Sequence, residues 1–215
     1  MPKQDGVYAT AAACQSVLGA TPQSLAWIQG ICTAQHRNST LAAKELLFDL
    51  SLIDFDKPTA DIHEIRKYNP QRFEMEQLTA IVYEDTERKV CVGYKDVGPD
   101  EFWVRGHMPG MPLMPGVVML ECAAQMCSYF TQRYNMLGAA MVGFGGLEDV
   151  RFRDPVAPGD RVVFICSLTK VRPGRMIISR FQGVVRGNVV VEGVIKGIPI
   201  PIEALSARPS PQSPA

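Results

Sequence analysis

The most informative absences in this sequence concern cysteine pairs, long apolar runs and net charge. None of the six cysteines forms a C-x-x-C pair, so their spacing indicates neither a zinc site nor a disulfide framework, and we expect no bound metal. No run of about eighteen apolar residues occurs, so we expect no membrane span. The formal net charge is zero at pH 7, and we expect no nucleic-acid partner. At 215 residues the chain fits one domain with tails, and a reducing cytoplasm is the simplest compartment.

What the sequence does contain is a loop-forming stretch followed directly by a long apolar one. Between Gly106 and Gly116 there are three glycines and three prolines, with His107 at the start. Because proline fixes φ and glycine tolerates positive φ, this stretch is predicted to be a stiff, sharply turned loop. From Val117 to about Asn135 neither residue occurs, and apolar side chains cover every side of a helix. This pattern predicts a buried central helix.

Glu121 is the exception inside that helix, with Gln125 one turn further on. An unpaired charged carboxylate is heavily disfavoured in an apolar interior, so Glu121 should tend to hold its proton and act as an acid, with His107 as the base. The amide of Gly116, in the first helical turn, has no intrahelical partner and can bind a carbonyl oxygen on which negative charge develops. We therefore predict His107 and Glu121 as catalytic, and Gly116, Val117 and Gln125 as positioning residues.

Spaced residues of this region carry a family signature: Gly106-His107, Pro109-Gly110, Pro112, Pro115-Gly116-Val117, Glu121 and Ala124-Gln125. In these positions the chain resembles the 3-hydroxyacyl-[acyl-carrier-protein] dehydratases of dissociated (type II) fatty-acid synthesis. The resemblance covers roughly residues 68–205. Two positions depart from the family pattern, since Met108 stands where an aromatic residue is usual and Gln71 where a histidine is usual. We expect both departures to alter the pocket walls, and hence chain-length preference, more than the chemistry.

The resemblance implies an α+β hot-dog fold, in which a curved antiparallel sheet wraps a long central helix. It implies dehydration of a (3R)-hydroxyacyl thioester to the trans-2-enoyl thioester, with His107 as base and Glu121 as acid. It implies no cofactor on the enzyme, because the substrate is carried on the 4'-phosphopantetheine of an acyl carrier protein. It also implies a homodimer or a trimer of dimers, in which each active site takes its histidine from one subunit and its glutamate from the other.

The rest of the chain is consistent with an α+β domain. Alternating apolar residues between Gly and Pro breaks predict strands over 78–83, 89–97, 139–153, 161–171, 176–186 and 188–200. With one buried helix, these strands favour a sheet curled around that helix, and edge pairing in a twofold dimer would protect the sheet edge. The predicted organisation is a poorly ordered extension (1–40), a packing segment with a short helix capped by Asp61 (41–67), the dehydratase domain (68–205) and a disordered tail (206–215).

Basic residues are concentrated between positions 151 and 186, where Arg and Lys outnumber Asp and Glu. From the residues alone, a solvated outer face of a sheet is the ordinary interpretation. A local basic surface can also steer an acidic partner, and acyl carrier proteins are acidic. The resemblance therefore favours carrier docking, for which the candidates are Arg151, Arg153, Arg161, Arg172 and Arg175.

Other functions remain open from the sequence. A hot-dog acyl thioesterase would activate water with a carboxylate and release free thiol. A non-catalytic acyl-carrier-binding module would bind the carrier without turnover. A dehydratase that also isomerises the double bond has an aspartate where this chain has Glu121.

Overall fold

The computed structural model describes residues 45–201, and the predicted extension (1–40) and tail (206–215) lie outside this range. Two short 3-10 turns occupy Leu50–Leu52 and Phe73–Met75. The helices and strands follow in the order α1 (Ile62–Ile65), β1 (Ala80–Asp85), β2 (Val90–Asp96), α2 (Gly116–Arg133), β3 (Val142–Phe152), β4 (Arg161–Arg172), β5 (Met176–Val185) and β6 (Asn188–Pro199). The predicted strands and central helix are confirmed within a few residues at their ends.

The strands form one antiparallel sheet in the order β1-β2-β4-β5-β6-β3. Tight turns join β1 to β2, β4 to β5 and β5 to β6, and each contains a residue with positive φ that lets the chain reverse: Lys89 (59°), Gly174 (68°) and the pair Arg186-Gly187 (48° and 81°). The predicted irregularity at Gly145-Gly146 is a shift of register between Phe144 and Gly146. A curved sheet of six strands with one long helix confirms the α+β hot-dog fold.

Helix α2 packs on one face of the sheet and forms the centre of the main core. Met126, Tyr129 and Phe130 on the helix are fully buried, as are Phe164 on β4 and Phe181 on β5 (1% exposed). Burying each such side chain contributes about 1.5–3 kcal/mol. The apolar pattern of the sequence therefore becomes the contact that holds the helix against the sheet.

The prediction of a helix buried on every side is wrong for one stripe of α2. Val117 is 72% exposed, and Leu120, Glu121, Ala124 and Ser128 are only partly buried. These positions follow the three- and four-residue spacing of one helix face. The sheet of the same chain covers the opposite side, so the stripe keeps access to solvent or to another molecule.

The opposite face of the sheet carries a second apolar cluster, which the segment before α1 covers. Phe48 is buried there together with Val82, Ile165 and Val184. The segment is fixed by Gln182 on β5, whose Oε1 accepts from the Leu47 amide at 2.8 Å and whose Nε2 donates to the Glu45 carbonyl at 3.2 Å.

Short helix α1 begins as the sequence predicts. The Asp61 side chain caps it by accepting a hydrogen bond from the Glu64 amide at 2.9 Å.

The two edges of the sheet differ in how far they are covered. The edge of β1 contacts Ala60, which forms an isolated bridge with Ile81. The outer edge of β3 pairs with no strand within residues 45–201. Phe144 and Phe152 on β3 are each 52% exposed. An uncovered edge of eleven residues is a template for pairing with a second strand.

No helix in the described range has the length and apolar character needed to cross a membrane.

Candidate active site

His107 lies at the start of a loop that a backbone hydrogen bond closes. Its amide donates to the Trp103 carbonyl at 2.8 Å, and its own carbonyl accepts from the Leu113 amide at 2.9 Å. The next residue, Met114, donates its amide to the Val156 carbonyl at 2.7 Å and so joins the loop to the chain before β4. The predicted stiffness of this segment therefore rests on backbone hydrogen bonds as well as on its prolines. The imidazole is exposed.

The hydrogen bond of the imidazole decides which nitrogen of His107 can act as a base. Its Nδ1 lies 2.8 Å from the Leu113 carbonyl oxygen. A carbonyl oxygen only accepts, so Nδ1 must carry the hydrogen, and in the neutral ring Nε2 then holds the free lone pair. The loop thus presents one defined basic atom.

Glu121 is held by Gln125, as the sequence predicts from their spacing of one turn. The Nε2 of Gln125 donates to Glu121 Oε1 at 2.7 Å. The same Nε2 donates to the Met75 carbonyl at 2.7 Å, and Oε1 of Gln125 accepts from the Gln77 amide at 3.0 Å. These three partners fix the orientation of a side chain that is only 2% exposed. Among residues 45–201 no hydrogen bond reaches the other carboxyl oxygen of Glu121, Oε2.

The residues that hold Gln125 and Glu121 in place come from the loop before β1. Their role was not predicted from the sequence. Asn69 Nδ2 donates to the Gln125 carbonyl at 2.9 Å and is buried. Gln71 Nε2 lies 3.5 Å from Glu121 Oε1. Nearby, hydrogen bonds from Arg66 hold the pKa of Glu76 below its usual range. The only sequence signal was at Gln71, which stands where the family that the chain resembles usually has a histidine.

The amino terminus of α2 supplies a second polar element. Helix α2 begins at Gly116 after Pro115, which offers no side-chain cap. Within residues 45–201 the amides of Gly116 and Val117 donate no hydrogen bond, whereas those of Val118 and Met119 bond to the Pro115 carbonyl. Free amides at the positive end of an eighteen-residue helix form a site for a developing negative charge.

Gly116 lies close to Phe152 on β3, so any larger residue at this position would require the half-exposed ring of Phe152 to move. An added Cβ would lie 2.7 Å from the ring of Phe152.

The structure does not bring all predicted residues together. Within the described residues, His107 and Glu121 share no hydrogen bond. The predicted docking arginines divide between two ends of the sheet. Arg172 and Arg175 adjoin the β4–β5 turn, whereas Arg161 begins β4 and lies at its opposite end.

Two of these arginines already have acidic partners in the same chain. Arg153 pairs with Glu192. Arg161 forms two hydrogen bonds with Asp96 at 2.6 and 2.8 Å and stacks on Tyr94. Arg151 is exposed at the carboxyl end of β3.

The cysteine of α2 nearest the site is packed as an apolar residue. Cys122 is fully buried, and burial raises its pKa well above the usual range. Among residues 45–201 no group of three His, Cys, Asp or Glu side chains is arranged to hold a metal ion.

Comparisons with known proteins give this site a family context. The FabA-like domain family matches residues 69–194. The 3-hydroxyacyl-[acyl-carrier-protein] dehydratase FabZ of Rhizobium rhizogenes is 36% identical over 137 residues, covering 64% of this chain and 86% of that protein. The protein of the same name from Clostridium botulinum (strain Loch Maree) is 35% identical over 132 residues, covering 61% and 90%.

A solved structure agrees at the level of the fold. The dehydratase heterocomplex ApeI:P from Xenorhabdus doucetiae superposes with a TM-score of 0.55 at 15% identity, over 67% of this chain and 97% of that chain.

The fold and the matched region define the class of protein, which is an enzyme of the hydro-lyase type on a hot-dog scaffold. The chain belongs to the FabA-like domain family, and its relatives carry the name 3-hydroxyacyl-[acyl-carrier-protein] dehydratase. The family expected from the spaced residues between Gly106 and Gln125 is therefore confirmed.

Proposed function

We propose that this protein dehydrates (3R)-hydroxyacyl-[acyl-carrier-protein] to trans-2-enoyl-[acyl-carrier-protein] in fatty-acid or related lipid biosynthesis. The names of its relatives support this substrate. The observation that carries the proposal is that the chain holds two functional groups in defined orientations. One is an imidazole whose tautomer is fixed by the Leu113 carbonyl, and the other is a carboxyl whose one oxygen is occupied by Gln125.

His107 is the proposed base. The α-hydrogen of the thioester is acidified by the neighbouring carbonyl, and Nε2 of His107 removes it. The hydrogen bond from Nδ1 to the Leu113 carbonyl fixes the tautomer in which Nε2 of the neutral ring holds the lone pair, and the same hydrogen bond is kept in the imidazolium that forms. Base catalysis of this kind contributes about 10²–10⁴-fold to the rate.

The amino terminus of α2 is the proposed site for the thioester oxygen. As the α-hydrogen leaves, negative charge builds on that oxygen. The free amides of Gly116 and Val117 can donate to it at the positive end of the helix. Because these amides are already oriented before the charge appears, no reorganisation is needed when they donate to it.

Glu121 is the proposed acid. Its Oε1 accepts from Gln125, so its Oε2 carries the proton that passes to the leaving 3-hydroxyl. The C3–O bond breaks, water departs, and the electron pair of the former Cα–H bond forms the double bond. The proton taken by His107 balances the one given by Glu121, and no cofactor on the enzyme enters these steps. The substrate is held on the 4'-phosphopantetheine of its carrier.

The active enzyme is proposed to be a homodimer, or a trimer of dimers, with shared active sites. The free edge of β3 and the partly exposed stripe of α2 are two surfaces that a second copy can cover. Glu121 belongs to that stripe. A site that joins His107 of one subunit with Glu121 of the other agrees with the lack of a hydrogen bond between them within the described chain.

Carrier docking by the arginines remains part of the proposal in a narrower form. An acidic carrier needs basic side chains that are accessible and near the entrance to the site. Arg151 lies near the carboxyl end of β3, next to Phe152, which contacts Gly116 at the amino terminus of α2. Arg172 and Arg175 adjoin the other end of β4, so they would serve a different surface.

The experiment that tests the proposal follows two products at once. Purified full-length protein is given a 3-hydroxyacyl-carrier-protein substrate, while enoyl thioester and free thiol are measured together. Enoyl formation without thiol release supports the dehydratase. Thiol release without enoyl would place the protein among the thioesterases, and carrier binding without either product would make it a binding module.

A further inference from the structure

We propose that Gln71 is a second positioning residue for Glu121, an inference that rests on the function proposed above. Its Nε2 lies 3.5 Å from Oε1 of Glu121, the oxygen to which Gln125 also donates. The two amides thus approach one carboxyl oxygen from two different parts of the chain and leave Oε2 as the oxygen that carries the proton.

The loop around Gln71 is rigid enough to aim its side chain. The guanidinium of Arg72 donates to three backbone carbonyls, those of Asn69 (2.8 Å), Gln71 (2.5 Å) and Arg66 (3.0 Å). Asn69 in turn donates to the backbone of α2 at Gln125. Gln71 is therefore held between Asn69 and Arg72, and its side chain reaches Glu121 on α2.

A single donor is not enough to fix a carboxyl group. The terminal torsion of a glutamate is broad, so one hydrogen bond leaves the plane of the carboxyl free to rotate. Gln125 cannot give more, because both hydrogens of its Nε2 are already used, one by Met75 and one by Glu121. A second donor from Gln71 restricts that rotation. At 3.5 Å the contact is at the outer limit of a hydrogen bond, and such contacts commonly tighten when substrate closes the site.

The identity of the residue at position 71 fits this role. The Oε1 of Gln71 is buried without a donor among the described residues, so contact with Glu121 is the side chain's only polar interaction there. An amide donates a hydrogen without changing charge with pH. A histidine at the same position also has an N–H to donate, so Gln71→His is the conservative replacement and Gln71→Leu removes the donor at similar size.

The test compares steady-state constants of the full-length enzyme with a 3-hydroxyacyl-carrier-protein substrate. Gln71→Leu should lower kcat about tenfold and leave KM unchanged within about twofold. A misplaced acid stabilises the transition state less but does not change the binding of the substrate. Gln71→His should restore kcat to within about threefold of the wild type. Gln132→Leu, which removes a glutamine near the other end of α2, is the matched control and should leave both constants unchanged.

A double-mutant cycle separates positioning from a general effect on structure. Glu121→Asp withdraws the carboxyl by one methylene, so Gln71→Leu should cost less than about twofold in that background. An equal tenfold loss in both backgrounds, or no loss in the wild-type background, would overturn the role of Gln71 while leaving the dehydratase intact. A wild type that forms no enoyl product would instead reject the proposed function, and this inference with it.

Discussion

Replacing Gln125 by methionine tests whether the hydrogen bonds of this buried side chain hold the loop before β1 to helix α2. The side chain is 2% exposed and has three partners, the Gln77 amide, the Met75 carbonyl and Glu121. Gln125→Met keeps the length of the side chain but leaves the Gln77 amide without an acceptor, which costs about 1–3 kcal/mol for a buried group. The other two partners are better exposed and regain water, so their loss adds about 1 kcal/mol.

The expected sum is a loss of about 2–4 kcal/mol in the free energy of unfolding, measured by urea denaturation. In a domain of this size, that corresponds to a fall of roughly 4–16 °C in Tm. The matched control is Gln132→Met, because Gln132 is also on α2 but donates to the exposed carbonyl of Ala140. The control should change stability by less than about 0.5 kcal/mol. If Gln125→Met is as stable as the control, the hydrogen bonds of Gln125 do not hold the loop before β1 to helix α2.

Two further predictions concern the core and the free edge. Burial raises the pKa of Cys91 and Cys122. Iodoacetamide at pH 8 should therefore leave both cysteines unlabelled in the native protein and label both in urea, as measured by peptide mass spectrometry. Labelling in the native state would contradict their packing. If β3 edges pair in the dimer, Phe144→Lys, which adds a charge at that edge, should shift the protein to a monomer in light scattering after gel filtration, and a dimer of unchanged stability would contradict this interface.

The fold could be predicted from the sequence because its signals are local. After its first residue, Gly116, helix α2 contains no Gly or Pro. Each strand has alternating apolar residues and lies between breaks at which the structure has turns or loops. The covered side of α2 was harder to predict. Val117 and Met119 are both apolar, yet one is 72% and the other 3% exposed. Hydrophobicity does not say whether an apolar face meets the same chain or another copy.

The candidate site could be predicted in part, for a physical reason that differs between its members. His107 and Glu121 stand out because their chemistry is unusual in a Pro/Gly loop and an apolar helix. Gln77 does not stand out, and Gln71 stands out only as a departure from the family pattern, because a glutamine side chain gives no sign of its partner until folding brings it to a carboxyl or an amide. The predicted docking arginines do not lie at one place in the fold. Arg161 and Arg172 are the first and last residues of strand β4 and therefore lie at opposite ends of the sheet.

The central claim, that His107 and Glu121 of different subunits form one dehydration site, is tested most directly by mixing two inactive variants. His107→Ala and Glu121→Gln are each expected to form enoyl product about 10²–10⁴-fold more slowly than the wild type. Subunits of the two variants are then exchanged by mild denaturation and refolding.

Random exchange of a twofold dimer makes about half of the molecules mixed, and each mixed dimer holds one site with both native residues. The account predicts that about a quarter of wild-type activity returns on mixing. No recovery, although mixed dimers form, would place both residues in one subunit, and near-wild-type activity of either variant alone would remove that residue from the chemistry.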